Sequence, residues 1–117
     1  MPFTTTFKKG DVVLVRFPFT DLSGSKQRPG LIVSSDSLNR VRDDVLVAAI
    51  TSQIPATLAA DEFPIPTGEL SACGLPKPSI LRLSKLVSLH QQLVIKRIGA
   101  LPSASLSIAM EQLRQLF

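Results

Sequence analysis

The chain has 117 residues, the length of one domain, and its 44% hydrophobic and 19% charged residues can bury a core, which excludes a disordered chain. The lone cysteine, Cys73, excludes an intramolecular disulfide framework; a reducing, cytoplasmic setting fits, and a secreted chain without disulfides would look the same. Thirteen Lys and Arg against nine Asp and Glu give a net charge of +4, which favours an anionic partner such as RNA without selecting one.

Met1–Lys9 holds no apolar run, so no signal peptide is expected. Every later apolar run is broken by Asp, Arg, Pro or Gly short of a membrane span. Gly10–Phe17 is rich in β-branched residues and stops at Pro18, which predicts a strand. Phe19–Gln27 is polar, with Gly24 and two serines, and reads as a loop. Pro29–Ser35 is a second strand. Asp36–Asp44, with five charged residues and Asn39, is expected to be an exposed connection. Val45–Ser52 is a third strand, and its unbroken apolar run predicts burial on both faces. A hairpin is expected over Leu58–Pro66 and Glu69–Cys73, turning near Thr67-Gly68. Ser79–Leu89 predicts a strand with Leu81, Leu83 and Leu89 on one side and Arg82, Ser84 and Ser88 on the other. Leu93–Ala100 is a further short strand closed by Gly99.

The C-terminus changes period. Leu106, Ala109, Met110, Leu113, Leu116 and Phe117 recur at spacings of three and four, one face of a helix, with Ser103 after Pro102 as the expected N-cap. Ile108 falls off that stripe. The class is therefore mostly β: one domain over residues 1–117, built as a small antiparallel barrel with a C-terminal α-helix. Closing or nearly closing the sheet removes the exposed edges of many short strands.

Chemistry is narrowed by residue types. His90 is the only histidine, so neither a usual triad nor a usual zinc site can be assembled with Cys73, which reads as a small buried hydrophobe. There is no phosphate-cradling or dinucleotide glycine pattern, and the carboxylates lack metal-ligand spacing. No metal and no cofactor are expected.

Four ordered segments carry a resemblance. They are Gly10–Val13 running into Phe17–Gly24; Gln27-Arg28-Pro29-Gly30-Leu31-Ile32-Val33-Ser34; Ala49-Ile50-Thr51-Ser52; and Leu75-Pro76-Lys77-Pro78-Ser79-Ile80 with Arg82, followed by Ile98-Gly99. Each alone is weak, but in this order and spacing they resemble the MazF/PemK toxin family across nearly the whole chain. The resemblance implies an SH3-like barrel, a homodimer, and sequence-selective endoribonuclease activity on single-stranded RNA, blocked by a cognate antitoxin. An acidic antitoxin would suit the +4 charge.

It also implies catalytic roles for Arg28, Thr51 and Arg82. Pro29 biases Arg28 toward extended backbone, so the guanidinium leaves from a stiff point and offers a fork of donors to phosphate oxygens. A neutral guanidine is scarce at neutral pH, so charge stabilisation suits an arginine better than base work. Thr51 and Ser52 bring hydroxyls that donate without ionising. Family members of the PemK kind place an Asp, proposed as the base, two residues after the counterpart of Arg82; here that residue is Ser84, a poor base. Asp21 is the expected substitute, weighed evenly against turn chemistry. Phe19 is the expected stacking group in a chain without Trp or Tyr.

Two other functions compete. A gyrase poison of the CcdB kind shares the fold but has no catalytic centre, and the Arg28-Pro29 and Thr51 pair argues against it. A non-catalytic SH3-like module would bind RNA or protein without cutting.

Overall fold

A computed structural model of the protein describes residues 6–16 and 27–117. Six segments form strands: β1 (Asp11–Arg16), β2 (Gln27–Ile32), β3 (Asp44–Thr51), β4 (Glu62–Pro64), β5 (Ile80–His90) and β6 (Val94–Ala100). All pair antiparallel in one sheet, in the order β4-β5-β3-β2-β1-β6. The mostly β, barrel-like class with a C-terminal helix holds, although β4 and β6 remain unpaired with each other.

Adjacent residues on a strand point to opposite faces, and here both faces are apolar. Val12, Leu31, Val33, Ala48 and Ile50 share the larger core with Leu81, Leu83 and Leu101. Val13, Val15, Ile32, Val45, Val47 and Leu89 form a smaller one on the opposite face. The expected two-faced burial of Val45–Ser52 holds in part: Val45, Val47, Ala48 and Ile50 are buried, Ala49 and Thr51 are half-buried, and Leu46 and Ser52 are exposed.

The expected single inward side of the Ser79–Leu89 strand does not hold. Leu81, Leu83 and Leu89 are all buried, but Leu89 belongs to the smaller core. Between Ala48 and Ala49 the β3–β5 register jumps from Leu86 to Arg82. That leaves an odd number of residues, 83 to 85, without β3 partners and reverses the alternation beyond them.

Two more expectations are corrected. The Asp36–Asp44 connection contains a helix, α1 (Asp36–Val41), and Asn39 in it is buried. Ser35 caps the helix by accepting the Leu38 N–H at 3.2 Å. Tertiary bonds then hold it, since Asn39 Nδ2 donates to the Phe7 carbonyl at 2.9 Å and the Ser34 carbonyl at 3.2 Å. The second arm of the expected 58–73 hairpin is helical: a 3₁₀ turn at Thr67–Glu69 leads into α2 (Leu70–Cys73).

The short α2, which follows β4 through the 3₁₀ turn, packs on the other edge strand, β6. Gly74 ends it in the left-handed region at φ 72°. A Cβ on Gly99 of β6 would stand 2.4 Å from the Ala72 carbonyl oxygen, so this contact requires glycine.

The terminal helix α3 (Ser103–Arg114) buries Ala109 and Leu113 in the larger core, with Leu106 and Met110 packed beside them. Ile108 is exposed, as its place off the stripe predicts. Ser103 is the first helical residue rather than the cap; Pro102 holds the cap position without a side-chain bond. Leu116 and Phe117 lie beyond the last helical residue and are exposed.

Candidate active site

Strand order brings distant residues to one end of the larger core. Leu14 of β1, Arg28 and Pro29 of β2, the last residues of β3, part of β6 and the 74–79 segment before β5 surround a groove of about 510 Å³. Its floor is apolar, with Leu14, Ile50, Leu75 and Ile98. Its polar rim carries Arg28, Thr51, Ser52, Lys77, Ser79 and Lys96.

Each rim residue is fixed by its local chain. Arg28 is exposed and lies opposite Val15 in the β1–β2 ladder. Pro29 beside it removes a backbone donor and locks φ. Thr51 is the last residue of β3, opposite Ile80, and its hydroxyl accepts the Gln53 N–H at 3.1 Å. That bond turns the chain and leaves the hydroxyl hydrogen of Thr51 available to donate. Lys77 stands between Pro76 and Pro78 in a segment closed by Ser79, whose hydroxyl donates to the Lys77 carbonyl at 2.9 Å.

The charge balance of the groove is one-sided. Arg28, Lys77 and Lys96 line it, and no carboxylate does among the described residues. None of these three side chains forms an ion pair with a described residue. Three cations kept apart from acids, with hydroxyls between them, make a surface for an anion. Its donors are hydroxyl, guanidinium and ammonium groups, which suit phosphate oxygens rather than a cation. Among the described residues no group of three or more His, Cys, Asp or Glu side chains could hold a metal.

A second groove of about 370 Å³ adjoins the first and shares Thr51 and Gln53 with it. Arg82 lies here, with Glu62, Ile54 and Pro55. Thr51 therefore connects Arg28 to Arg82, although the two arginines line different grooves. Ser84 lines neither groove; it is exposed, and its hydroxyl donates to the Asp61 carboxylate. Phe19 and Asp21 fall outside the described residues.

The sequence pattern does not mark Lys77, Lys96, Gln53 or Glu62 as site residues. Lys77 had a signal, since it sits inside one of the four resembling segments, between two prolines. Lys96 had none: its nearness to Arg28 depends on β1 lying between β2 and β6.

The two residues that enzyme chemistry most often uses lie elsewhere. His90 Nδ1 accepts the Gln92 N–H at 3.1 Å, capping a 3₁₀ turn at Gln91–Leu93. Cys73 is wholly buried, and burial, helped by the Glu69 charge, pushes its thiol up from the ordinary value of 9.0. It packs as a small neutral hydrophobe.

A family profile for the PemK-like, MazF-like toxins of type II toxin–antitoxin systems matches residues 8–117. The chain belongs to this toxin family. The toxin's fold also resembles solved structures at low identity. An "Endoribonuclease from Mycobacterial species" is 18% identical, with 97% of this chain and 92% of the other covered at a TM-score of 0.73. An endoribonuclease in complex with its cognate antitoxin, also from Mycobacterial species, is 18% identical over 93% and 92%, with a TM-score of 0.72. A MazE–MazF structure (Form-III) from Deinococcus radiodurans is 19% identical over 96% of each chain, with a TM-score of 0.75. A comparison with curated protein sequences finds no significant match. No helix of the described residues is long and apolar enough to cross a membrane.

Proposed function

We propose that this toxin is a sequence-selective, metal-independent endoribonuclease that cuts single-stranded RNA in the cytoplasm and so stops translation and growth. The observation that carries this is the groove in which Arg28 and Thr51 meet Lys77 and Lys96 with no carboxylate among the described lining residues. Such a groove suits a phosphate backbone, and the names of the structural neighbours support the same activity.

The nucleophile is the 2′-hydroxyl of the RNA, already beside the phosphorus it attacks. As the phosphorane forms, charge builds on its oxygens. Arg28 stabilises it with a planar fork of donors, Thr51 with its hydroxyl, and Arg82 from the adjoining groove. Ser52 binds substrate from the rim, and Phe19, Asp21 and Ser84 are further substrate-binding residues. The products are a 2′,3′-cyclic phosphate and a 5′-hydroxyl.

The test uses a mixed pool of single-stranded RNA in EDTA. Cleavage is expected to persist there and to stop when the nucleotide at the cut site carries a 2′-deoxyribose. Loss of cleavage in EDTA, or normal cleavage of the 2′-deoxy substrate, overturns the reading. A CcdB-like gyrase poison or a binding-only module would cut nothing.

Two partners belong to the same reading. A cognate antitoxin presents an acidic segment, largely disordered before binding, that covers the basic groove. Structures of toxin–antitoxin complexes among the neighbours support this. If charge-removing changes at Arg28 and Arg82 leave binding of the antitoxin undiminished, direct occlusion is wrong. The second partner is another copy of the chain. Phe117 is 91% exposed and Leu116 37%, an apolar end that a homodimer would cover. Sedimentation of the active protein as a monomer at assay concentration would refute this.

A further inference from the structure

The RNA-cleaving reading needs a group that takes the proton from the 2′-hydroxyl; the sequence offers Asp21 for it, which lies outside the described residues. Arg28, Thr51, Lys77 and Lys96 donate; none of them is a base at neutral pH. Ser84 is also a poor base, and it is occupied as a donor to Asp61.

One carboxylate lines either of the two adjoining grooves among the described residues, and it is Glu62. Glu62 lies opposite Arg82 in the β4–β5 ladder, and Arg82 lies opposite Ala49 in β3. Ala49 and Thr51 share a face because they are two apart on one strand. Glu62, Arg82 and Thr51 are thus brought together from three strands, and all three line the same groove.

The carboxylate is held but not consumed. Glu62 Oε1 accepts the Ala59 N–H at 2.8 Å, while the Glu62 N–H donates back to the Ala59 carbonyl at 3.0 Å. Glu62 Oε2 has no hydrogen-bond partner among the described residues. Arg82 is equally uncommitted: its Nε is buried without a hydrogen-bond partner, and it forms no ion pair with Glu62. A guanidinium and a carboxylate that face each other across a ladder without pairing leave room for a group with both a proton to give and a phosphate to hold.

We propose that Glu62 is the general base of this toxin, an inference that rests on the RNA-cleaving reading. Glu62 Oε2 takes the 2′-hydroxyl proton as the 2′-oxygen bonds to phosphorus. The bond from phosphorus to the 5′-oxygen breaks, and that oxygen takes a proton from water. The hydroxide left behind receives the proton from the Glu62 carboxylic acid, which restores the starting state. Arg82 keeps its charge throughout and holds a phosphate oxygen beside the base.

The deciding experiment compares the native protein with Glu62→Gln in single-turnover cleavage of RNA, and in binding of the same RNA carrying a 2′-deoxyribose at the cut site. Glutamine still accepts the Ala59 N–H, so the local fold is kept. The expected result is cleavage slower by about a hundredfold or more, with binding unchanged or tighter because a negative charge beside the phosphates is gone. Glu62→Asp keeps the charge but draws the base back. It should lose at least about tenfold in rate with binding unchanged, and it decides the matter if the glutamine variant does not fold. Cleavage by Glu62→Gln within about threefold of the native rate overturns the proposal while the RNA-cleaving reading stands. So does a loss of binding that matches the loss of rate. A native protein that cuts no RNA sinks the RNA-cleaving reading, and Glu62's role with it.

Discussion

Two polar regions of this toxin use their hydrogen-bonding groups in opposite ways. Around α1, polar side chains are buried and spent on the fold. Asn39 donates to the Phe7 and Ser34 carbonyls and accepts from the Ser34 hydroxyl. Gln91 Nε2 donates to the Asn39 and Arg42 carbonyls, both at 3.0 Å, and only Gln91 Oε1 there is buried without a partner. Around Thr51 the side chains are left open. Arg28, Lys77 and Lys96 have no ion pair among the described residues, and Arg82 Nε has no hydrogen-bond partner. Satisfied groups build the scaffold, whereas groups left unsatisfied beside a groove are available to a ligand. Asp11 shows the same economy: its buried carboxylate accepts the Lys8 N–H and the Arg97 Nε–H, each at 2.9 Å, so Arg97 is committed while Lys96 beside it is not.

If the two regions are as separate as this, substitutions should divide cleanly between activity and stability. The largest effect is expected for Arg28→Ala, which should slow RNA cleavage by about a hundredfold or more, on the order of 3 kcal/mol, with the melting temperature unmoved. Arg28→Lys should also be poor, because a point charge does not replace a planar fork. A melting temperature that falls with the rate would show that Arg28 belongs to the scaffold after all.

Asn39→Ala should do the reverse. Losing its bonds to Phe7 and Ser34 leaves buried groups unpaired, for a cost of about 2 kcal/mol in urea unfolding. The folded fraction should still cut RNA at the native rate, and a slower rate would join the two regions. Next come Lys77→Ala and Lys96→Ala, each expected to weaken RNA binding by about 1 kcal/mol. Each should also flatten the salt dependence of single-stranded RNA binding by about 0.7 in log–log slope if that lysine neutralises one phosphate. An unchanged slope would remove that lysine from the RNA path.

The smallest effect belongs to the core beneath the groove. Burial raises the Cys73 thiol above 9.0, so below that pH it is neutral in both states and its contribution to stability is complete. Above 9.0 the unfolded thiol ionises while the buried one resists, so stability drains away as pH rises. Cys73→Ala should lose less stability than the native protein between neutral and alkaline pH. Equal slopes would mean that the thiol is not desolvated as described.

The sequence by itself determined the strands and the terminal helix. Runs such as Val12–Val15 and Val45–Ile50 are β-branched and bounded by Gly, Pro or polar residues, and the spacing of Leu106, Ala109 and Leu113 admits only a helix. It also marked Arg28 and Thr51, through ordered segments that resemble the toxin family. Other features were decided by tertiary contacts. α1 is too short to stand alone and persists because Asn39 reaches Phe7 and Ser34. α2 has four residues and forms where Gly99 lets β6 approach its backbone. A bulge at residues 83 to 85 turned Leu89 to the other core, which an alternating pattern cannot show. Lys96 and Glu62 became neighbours of the marked pair only because β6 lies beside β1 and β4 beside β5. Local patterning reports how a segment buries its own side chains, whereas a site is assembled by strand order, which depends on contacts between segments far apart in the chain.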